Sequence, residues 1–195
     1  MFTGIITNTG TIAKISRTML TVHSGRGIVQ KLKKGDSIAV DGMCLTVTAK
    51  NGDFFSADVM AETLKRTNFG TFKNGDSVNL EMPATPKSFL SGHIVQGHID
   101  AVGTVKEIKK EGNQFTLSIS ILRRLSRYVV SKGSITVNGV SLTVIEAGQN
   151  SFSVGIIPHT WESTVFHTLQ PKSLVNIEVD VLAKYVERFT AKRHI

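Results

Sequence analysis

Cysteine, long apolar runs and targeting signals are scarce or absent in this sequence. The chain has a single cysteine, Cys44, so no intrachain disulfide can form, and we expect a reducing compartment, the cytoplasm. No apolar run approaches the ~18 residues that a membrane-spanning helix needs, so we expect no membrane partner. The start, Met1-Phe2-Thr3-Gly4, has no basic region ahead of an apolar stretch, and we therefore expect no signal peptide.

Aromatic residues are also few, whereas positive charge is abundant. The chain has two tyrosines, one tryptophan and a formal net charge of +8. A basic domain can bind nucleic acid, because lysine and arginine neutralise phosphates. Here the basic residues are scattered, and the tyrosines and the tryptophan are not placed as stacking platforms for bases. We therefore expect a solvated basic surface and no nucleic-acid partner.

One stretch of the sequence occurs twice. Asp41-Gly42-Met43-Cys44-Leu45-Thr46-Val47 is followed 97 residues later by Asn138-Gly139-Val140-Ser141-Leu142-Thr143-Val144. At this offset, residues 41–81 match residues 138–178 without a gap, whereas random pairing would give roughly two or three identities. The first-copy residues that are identical in the second are Gly42, Leu45, Thr46, Val47, Phe55, Ser56, Thr63, Thr67, Phe69, Thr71, Val78, Asn79 and Glu81. The chain is a duplication, and this repeat length predicts two similar domains in tandem.

Two shorter matches extend the repeat towards the start of each domain. Lys34-Gly35-Asp36-Ser37 aligns with Lys132-Gly133-Ser134 after one deletion. Gly4-Ile5-Ile6 aligns with Gly97-His98-Ile99.

Each main copy predicts a tight β-hairpin with small polar or sulfur side chains on one face. An Asx-Gly pair before a β-prone run is the strongest short-range signal for such a hairpin. Residues two apart on a strand face the same side. Cys44 and Thr46 should therefore share a face in the first copy, as should Ser141 and Thr143 in the second.

Short β-prone runs separated by Gly and Asx turns predict a small barrel in each half, joined by a linker at residues 83–90. After Asp180 an apolar stripe at helical spacing predicts a helix, formed by Val181, Leu182, Tyr185, Val186 and Phe189. This stripe packs either on its own barrel or on other subunits, and we favour the latter. Further helical segments are predicted at residues 28–32, 61–66, 122–129 and 161–165.

Five motifs in this order resemble the alpha-chain family of riboflavin synthase. They are Met1-Phe2-Thr3-Gly4-Ile5-Ile6, Gly42-Met43-Cys44-Leu45-Thr46-Val47, Ser91-Gly92-His93-Ile94-Val95-Gln96-Gly97-His98-Ile99-Asp100, Gly139-Val140-Ser141-Leu142-Thr143-Val144 and Ile157-Pro158-His159-Thr160. The resemblance implies an all-β fold of two tandem homologous six-stranded Greek-key barrels with a C-terminal α-helix, divided at residues 1–93, 94–182 and 183–195. It also implies that three chains associate through that helix.

The resemblance implies a reaction as well. Two molecules of 6,7-dimethyl-8-ribityllumazine exchange a four-carbon unit and give riboflavin and 5-amino-6-(D-ribitylamino)uracil, without a metal or redox cofactor. The substrates are expected between the N-terminal barrel of one subunit and the C-terminal barrel of its neighbour. Lumazine synthase is a candidate partner. The alternative is a non-catalytic, fluorescent lumazine-binding accessory protein, which would be expected to lose reactive side chains from one pocket.

Carried over residue by residue, the resemblance implies two pockets. The N-terminal pocket would use Gly4, Ile5, Ile6, Cys44, Leu45, Thr46, Asp58, Val59, Met60, Ala61, Glu62 and Thr63. The C-terminal pocket would use Gly97, His98, Ile99, Lys132, Ser141, Leu142, Thr143, Gly155, Ile156, Ile157, Pro158, His159 and Thr160. The candidates for proton transfer and substrate activation are Cys44, His98, Ser37, Ser141 and Asp180.

Several of these residues also have ordinary structural explanations. A cysteine on a strand is often a small core residue, and a lone histidine is more often structural than catalytic. Thr63 and Thr160 could cap or face the start of a short helix, and Lys132 could simply occupy a turn. Asn138 stands where family members often have Asp, and because an amide cannot ionise, a carboxylate role at that position is in doubt.

Overall fold

A computed structural model describes residues 1–190 of the chain, so residues 191–195 of the predicted helix lie outside the described part. The first half contains β1 (Asn8–Ile15), β2 (Met19–His23), α1 (Arg26–Lys31), β3 (Ser37–Val40), β4 (Met43–Asn51), β5 (Phe54–Asp58), α2 (Ala61–Arg66) and β6 (Ser77–Glu81). The second contains β7 (Ala101–Glu111), β8 (Gln114–Ser120), β9 (Ser134–Val137), β10 (Val140–Ala147), β11 (Ser151–Ile156), α3 (Pro158–Ser163), β12 (Leu174–Val179) and α4 (Val181–Thr190). Short 3₁₀ helices span Asn68–Thr71, Arg123–Tyr128 and Val165–Thr168.

The strands form two closed antiparallel barrels. The first has the order β1-β2-β5-β4-β3-β6 and the second the equivalent order β7-β8-β11-β10-β9-β12. Pairing of β2 with β5, rather than with the next strand, is a Greek-key connection. Closure removes the exposed strand edges that invite aggregation. The predicted fold of two six-stranded barrels followed by a helix is confirmed.

Buried and more exposed side chains alternate along β4, so that one face of the strand lies in the barrel core and the other on the outer surface. Met43, Leu45 and Val47 are buried, whereas Cys44 is half-buried and Thr46 exposed. In the second barrel, β10 repeats this alternation. The tight hairpins are confirmed too, because both residues of each Asx-Gly pair have positive φ, as a type I′ turn requires.

The two hairpin turns meet back to back at the interface between the barrels. A Cβ added to Gly42 would lie 2.7 Å from the backbone nitrogen of Gly139, so this approach needs glycine. Two hydrogen bonds cross the interface reciprocally: Asn79 Nδ2 donates to the Asn138 carbonyl and Asn176 Nδ2 to the Asp41 carbonyl, each at 3.0 Å. The duplicated sequence therefore builds an approximately two-fold arrangement of barrels.

The alignment with one deletion near Lys132 is wrong. The N–H of Gly35 donates to Val47 O at 2.8 Å, and that of Lys132 donates to Val144 O at 2.8 Å. Both residues have positive φ, 94° and 64°, so Lys132 corresponds to Gly35 without any gap. Matching the Lys-Gly pair of each half shifted the alignment by one residue. At this position the two halves share the backbone conformation but not the residue type.

Some predicted helical segments differ from the observed helices in their bounds or in their type. The segment predicted at residues 161–165 instead begins at Pro158, which occupies the first turn of α3, a position that suits proline. The segment predicted at residues 122–129 is the 3₁₀ helix Arg123–Tyr128. Helix α4 begins at Val181, the first residue of the predicted apolar stripe and two residues before the domain boundary predicted at 183. The division into residues 1–93, 94–182 and 183–195 otherwise stays a prediction.

Helix α4 is attached to its barrel by polar contacts, and much of its apolar stripe remains exposed. Glu187 accepts hydrogen bonds from Arg127 and Tyr128. Of the stripe, Val181 is buried, whereas the exposed members are Leu182, Tyr185, Val186 and Phe189. None of the helices within residues 1–190 is both long and apolar enough to span a membrane.

Candidate functional site

Two extended segments, residues 3–6 (the first arm) and residues 96–100 (the second arm), each lie on the barrel of the other half. The Ser141 N–H donates to the Gly4 carbonyl at 2.8 Å, and the Cys44 N–H donates to the Gly97 carbonyl at 2.9 Å. Ile6 packs on the core of the C-terminal barrel. The first arm therefore belongs to the C-terminal site and the second arm to the N-terminal site.

This exchange corrects the predicted composition of the pockets. Gly4, Ile5 and Ile6 were expected beside Cys44, and Gly97, His98 and Ile99 beside Ser141; the structure places each set in the opposite pocket. The prediction was wrong because it assigned each arm to the barrel that follows it in sequence. Backbone contact between an arm and a strand of the other barrel leaves no local trace in the sequence.

The contact between arm and strand requires glycine. Gly4 and Gly97 have φ of 77° and 78°, a region that L side chains rarely adopt. A Cβ on Gly97 would lie 2.6 Å from the Cβ of Cys44, and one on Gly4 would lie 2.6 Å from the Cβ of Ser141. Each arm can therefore approach its strand this closely only if the residue at the contact is glycine.

A glutamate at the end of each barrel's last strand anchors the arm that precedes that barrel. Glu81 accepts hydrogen bonds from the N–H groups of Thr3 and Gly4, at 2.7 and 3.0 Å. Glu178 accepts from those of Gln96 and Gly97, at 2.8 and 2.9 Å. Burial raises the pKa of Glu178 to about 7 and also raises that of Glu81, although the N–H donors oppose the shift.

The N-terminal site is a cavity of about 580 Å³. Cys44 is half-buried in its wall, and the exposed His98 lies on the arm beside it. The cavity brings together residues from the first barrel, the second arm and α4: Met43, Cys44, Met60, Glu62, Thr63, Arg66, Thr67, Gln96, Gly97, His98, Ile99, Asp100 and Lys184. It thus combines a thiol, an imidazole, hydroxyls and charged groups around a space large enough for a bicyclic ligand.

The C-terminal site contains a histidine that the sequence analysis did not select. The Nδ1 atom of His93 lies 2.7 Å from Ser141 Oγ. Burial lowers the pKa of His93, while the negative charge of Asp180 opposes that shift. A lowered pKa favours the uncharged imidazole, and in the tautomer protonated at Nε2 its Nδ1 can accept a proton from the hydroxyl.

His93 escaped selection because the duplication gives it no counterpart. It precedes the second arm, and the offset that aligns Gly97 with Gly4 assigns no residue of the first half to it. The only signal was its place in the quoted motif from Ser91 to Asp100. A pattern search built on the repeat could not have found it.

Ser37 and Asp180, two further catalytic candidates, occupy different sites. Ser37 is half-buried on β3 opposite Thr46, which lies two residues after Cys44 on β4, but it does not line the cavity of the N-terminal site. Asp180 immediately precedes α4, and its Oδ1 accepts the Leu182 N–H at 2.9 Å. Its influence on His93 places its charge near the C-terminal site.

Some predicted binding residues can offer a ligand only their backbone, because their side chains lie in the barrel cores. These buried residues are Leu45, Val59, Leu142 and Ile156. Other predicted residues are exposed around the same strand ends: Asp58, Ala61, Thr143, Gly155, Ile157, Pro158 and His159. Direct contact of these residues with a ligand stays a prediction.

Thr63 and Thr160 do not cap the helices that contain them. The residues preceding α2 and α3 are Met60 and Ile157, and neither helix has a side-chain cap. The capping threonines come four residues later: the hydroxyl oxygens of Thr67 and Thr164 accept N–H groups of the following 3₁₀ helices. Capping by Thr63 and Thr160 is therefore wrong; each residue instead lies in the first turn of its helix, as the other structural explanation expected, with a half-buried side chain.

The substitution of Asn138 for Asp has a structural explanation. Asp41 Oδ1 accepts the Asn79 N–H at 2.7 Å, and Asn138 Oδ1 accepts the Asn176 N–H at 2.8 Å. An amide oxygen can do this as well as a carboxylate. The side chain at residue 138 therefore contributes to the interface between the barrels, a role that does not require an ionised group.

Comparisons with known proteins agree with this geometry. A family model described as the lumazine binding domain matches residues 3–83 and again residues 96–180. The riboflavin synthase of Actinobacillus pleuropneumoniae is 43% identical over 197 residues, covering 99% of this chain and 91% of that protein. The riboflavin synthase of Mycobacterium tuberculosis is 45% identical over 196 residues, covering 96% and 97%. The chain belongs to the riboflavin synthase family.

Solved structures confirm the fold of this riboflavin synthase family member. Crystal structures of LumP complexed with 6,7-dimethyl-8-(1'-D-ribityl) lumazine and with riboflavin superpose with TM-scores of 0.83 and 0.86. Their sequence identities are 28% and 30%, and each alignment covers 92% of this chain and 99% of LumP. The barrel pair of the riboflavin synthase family is thus also found in a protein that binds lumazine and flavin ligands.

Proposed function

We propose that this chain catalyses the dismutation of two 6,7-dimethyl-8-ribityllumazine molecules. A four-carbon unit moves from one molecule to the other, giving riboflavin and 5-amino-6-(D-ribitylamino)uracil. One observation carries the proposal: the duplicated frame builds two equivalent sites with different reactive groups, Cys44 with His98 in one and Ser141 with His93 in the other. Two copies of a single substrate need two similar pockets, and their unlike roles need unlike chemistry.

The N-terminal and C-terminal sites would contribute differently to the reaction. Holding two partners in a reactive pose can lower a barrier by roughly 7–11 kcal/mol in the best cases. Loss of a proton from the C7 methyl group requires a base, and the resulting charge on the pyrimidine oxygens requires hydrogen-bond donors. The uncharged His93 beside Ser141 suits proton transfer, and the arm and strand N–H groups suit the donor role.

The binding residues we propose are those of the corrected pockets. In the N-terminal site, Cys44, Thr46, Met60 and Thr63 would contact one lumazine together with Gly97 and His98 of the second arm. In the C-terminal site the equivalent set would be Ser141, Thr143, Ile157, Thr160 and Lys132 with Gly4 and Ile5 of the first arm. Ser37 and Asp180 remain proposed contributors to proton transfer at their respective sites.

We infer that the two substrates meet between subunits. The cavity at Cys44 has none of the proposed C-terminal site residues in its lining, so within the described chain the two sites do not share one space. The exposed stripe on α4 supports association of three chains through this helix, because a water-exposed row of large apolar side chains favours burial against a partner. The N-terminal site of one subunit would then face the C-terminal site of its neighbour. We further propose a cytoplasmic location and lumazine synthase, which would supply the substrate, as a partner.

The second candidate function is a lumazine carrier without catalytic activity. The similarity to the LumP complexes supports it, because that protein has the same fold. Against it stand the higher identity to riboflavin synthases, 43% and 45% in the cases above, and the reactive groups present in both sites. The carrier is therefore the weaker proposal.

The deciding experiment uses the purified chain and 6,7-dimethyl-8-ribityllumazine alone. Absorbance of riboflavin and loss of the lumazine are followed in buffer without added metal or cofactor. One riboflavin formed for every two lumazines consumed is the expected result. Binding with altered lumazine fluorescence but no turnover would instead identify a carrier.

A further inference from the structure

Lys184 of α4 lines the N-terminal site, although its helix follows the second barrel. Its Nζ lies 2.7 Å from Oδ1 of Asp100, and the side chains of this ion pair are 31% and 19% exposed. Partial burial makes such a pair stronger than one on the open surface. The helix that carries the exposed apolar stripe thereby reaches the site of Cys44 and His98.

Asp100 joins three parts of the structure. It belongs to the second arm, two residues after His98, and its other carboxylate oxygen, Oδ2, accepts the Val179 N–H from β12 at 3.0 Å. Glu178 holds the same arm from β12. The charge of Lys184 lowers the pKa of Glu178, whereas the charge of Asp100 raises it. The positive charge of Lys184 therefore offsets the negative charges of Asp100 and Glu178, the two carboxylates that hold the arm.

Among the residues that the structure describes, the first arm has no such link to a helix. Glu81 anchors it as Glu178 anchors the second arm, but the residue equivalent to Asp100 is Thr7, which is exposed. Within residues 1–190, no helix equivalent to α4 follows the last strand of the first barrel. The link from an arm to a helix is thus particular to the arm that carries His98.

We propose that Lys184 is a positioning residue for the N-terminal site: through Asp100 it holds the second arm, and with it His98, in register with Cys44. Because α4 is also the proposed assembly helix, this link makes turnover depend on how α4 is seated. The inference rests on the proposed function, since its main readout is riboflavin formation.

The test compares Lys184→Met, which keeps the apolar stem and removes the charge, with Lys184→Arg. Small misplacements of reacting groups can cost up to about a hundredfold in rate, and we expect Lys184→Met to lower kcat by about tenfold. The Kd for riboflavin should change less than about threefold, because Lys184 acts through the arm rather than on the ligand. Lys184→Arg should restore most of kcat.

Asp100→Asn provides an independent second variant, and the double variant with Lys184→Met should be no slower than the slower single one, since both break the same link. The matched control is Lys109→Met, which breaks the exposed ion pair of Lys109 with Glu107 on β7 and should leave kcat unchanged. Sedimentation should give the same particle mass for all variants.

Three results would overturn the inference. They are an unchanged kcat in Lys184→Met, a Kd that rises in proportion to the loss of rate, and a loss that is reversed by raising the protein concentration. The second would mean direct contact with the ligand, and the third would mean a role in assembly alone. Failure of the proposed function is distinguishable, because the unmodified chain would then form no riboflavin.

Discussion

At the residue scale, two lysines occupy turn positions at which the other half of the chain has glycine. Lys132 and Lys172 have φ of 64° and 78°, and their counterparts Gly35 and Gly75 have φ of 94° and 95°. A left-handed conformation costs a non-glycine residue roughly 1 kcal/mol. A strained residue that persists often has a functional reason, and only Lys132 is among the proposed binding residues.

Lys132→Gly should separate stability from binding. We expect the free energy of unfolding to stay the same or rise by up to ~1 kcal/mol, because the strain is removed. We expect KM for the lumazine to rise about tenfold, since a hydrogen bond from a charged donor contributes roughly 1.5–3 kcal/mol. Lys172→Gly is the control: it should change stability equally and leave KM unchanged. Equal KM effects in both variants would contradict a binding role for Lys132.

The Asp41 and Asn138 pair predicts a pH dependence of stability. Burial raises the pKa of Asp41 to about 7, with the charge of Asp76 adding to the shift. The folded-state pKa of Asp41 lies above its unfolded value. The contribution of this carboxyl group to the free energy of unfolding is therefore fully present below pH 4 and is lost as pH rises to about 7. The free energy of unfolding of Asp41→Asn, measured relative to that of the unmodified chain, should therefore be higher at pH 8 than at pH 4.5, by on the order of 3 kcal/mol.

Urea denaturation of the unmodified chain and Asp41→Asn at the two pH values measures this effect. The reciprocal variant Asn138→Asp places a second buried carboxyl group at the same interface, and it should enlarge the loss of stability with rising pH. If the difference in stability between Asp41→Asn and the unmodified chain is the same at both pH values, the Asp41 carboxyl group does not titrate as proposed.

At the element scale, the exchanged arms bring residues of both halves into each site. Each arm is held by a strand N–H, a glutamate and one isoleucine packed on the core of the opposite barrel, and its contact with the strand requires one glycine. Its exact seating should therefore be sensitive to a single methyl group. The barrels beneath it have closed hydrogen bonding and large cores, and they should tolerate the same change.

Gly97→Ala tests the seating of the second arm. The new methyl group would lie 2.6 Å from the Cβ of Cys44, and the arm must move to relieve this overlap. We expect kcat/KM to fall at least tenfold, as a small misplacement of His98 suffices for that. The assay is riboflavin formation, with circular dichroism to show that the barrels remain folded.

Gly112→Ala is the matched control for that variant. Gly112 has φ of 60° in the β7–β8 turn, and a Cβ there would meet nothing within 4 Å. It therefore introduces backbone strain without the clash, and activity should persist. Comparable losses of activity in both variants would argue that strain, rather than arm position, causes the effect.

At the scale of the whole molecule, the proposed trimer depends on the exposed stripe of α4. Val186 and Phe189 are 61% and 82% exposed. Replacing both by Glu should prevent burial of this stripe, so we expect monomers in analytical ultracentrifugation and loss of riboflavin formation. Arg188→Glu introduces the same side chain on another face of the helix and should leave the assembly intact. A monomeric but active unmodified chain would contradict the proposal that sites form between subunits.

Much of the architecture could be predicted from the sequence because it is encoded locally. The Asp41-Gly42 and Asn138-Gly139 turns set their hairpins through φ, and the alternation along β4 and β10 sets which side chains face the cores. The duplication was visible because the second copy retains the same letters in the same order. The helix of residues 61–66 was predicted with its observed bounds.

What only the tertiary structure decided are the contacts between distant parts of the chain. The arms cross to the opposite barrels, His93 meets Ser141, and Lys184 meets Asp100 across separations that no periodicity spans. Local rules of turn and strand act over a few residues, whereas these contacts depend on how two closed barrels pack against each other. The sequence alone therefore specified two similar barrels, and their packing determined which residues share a site.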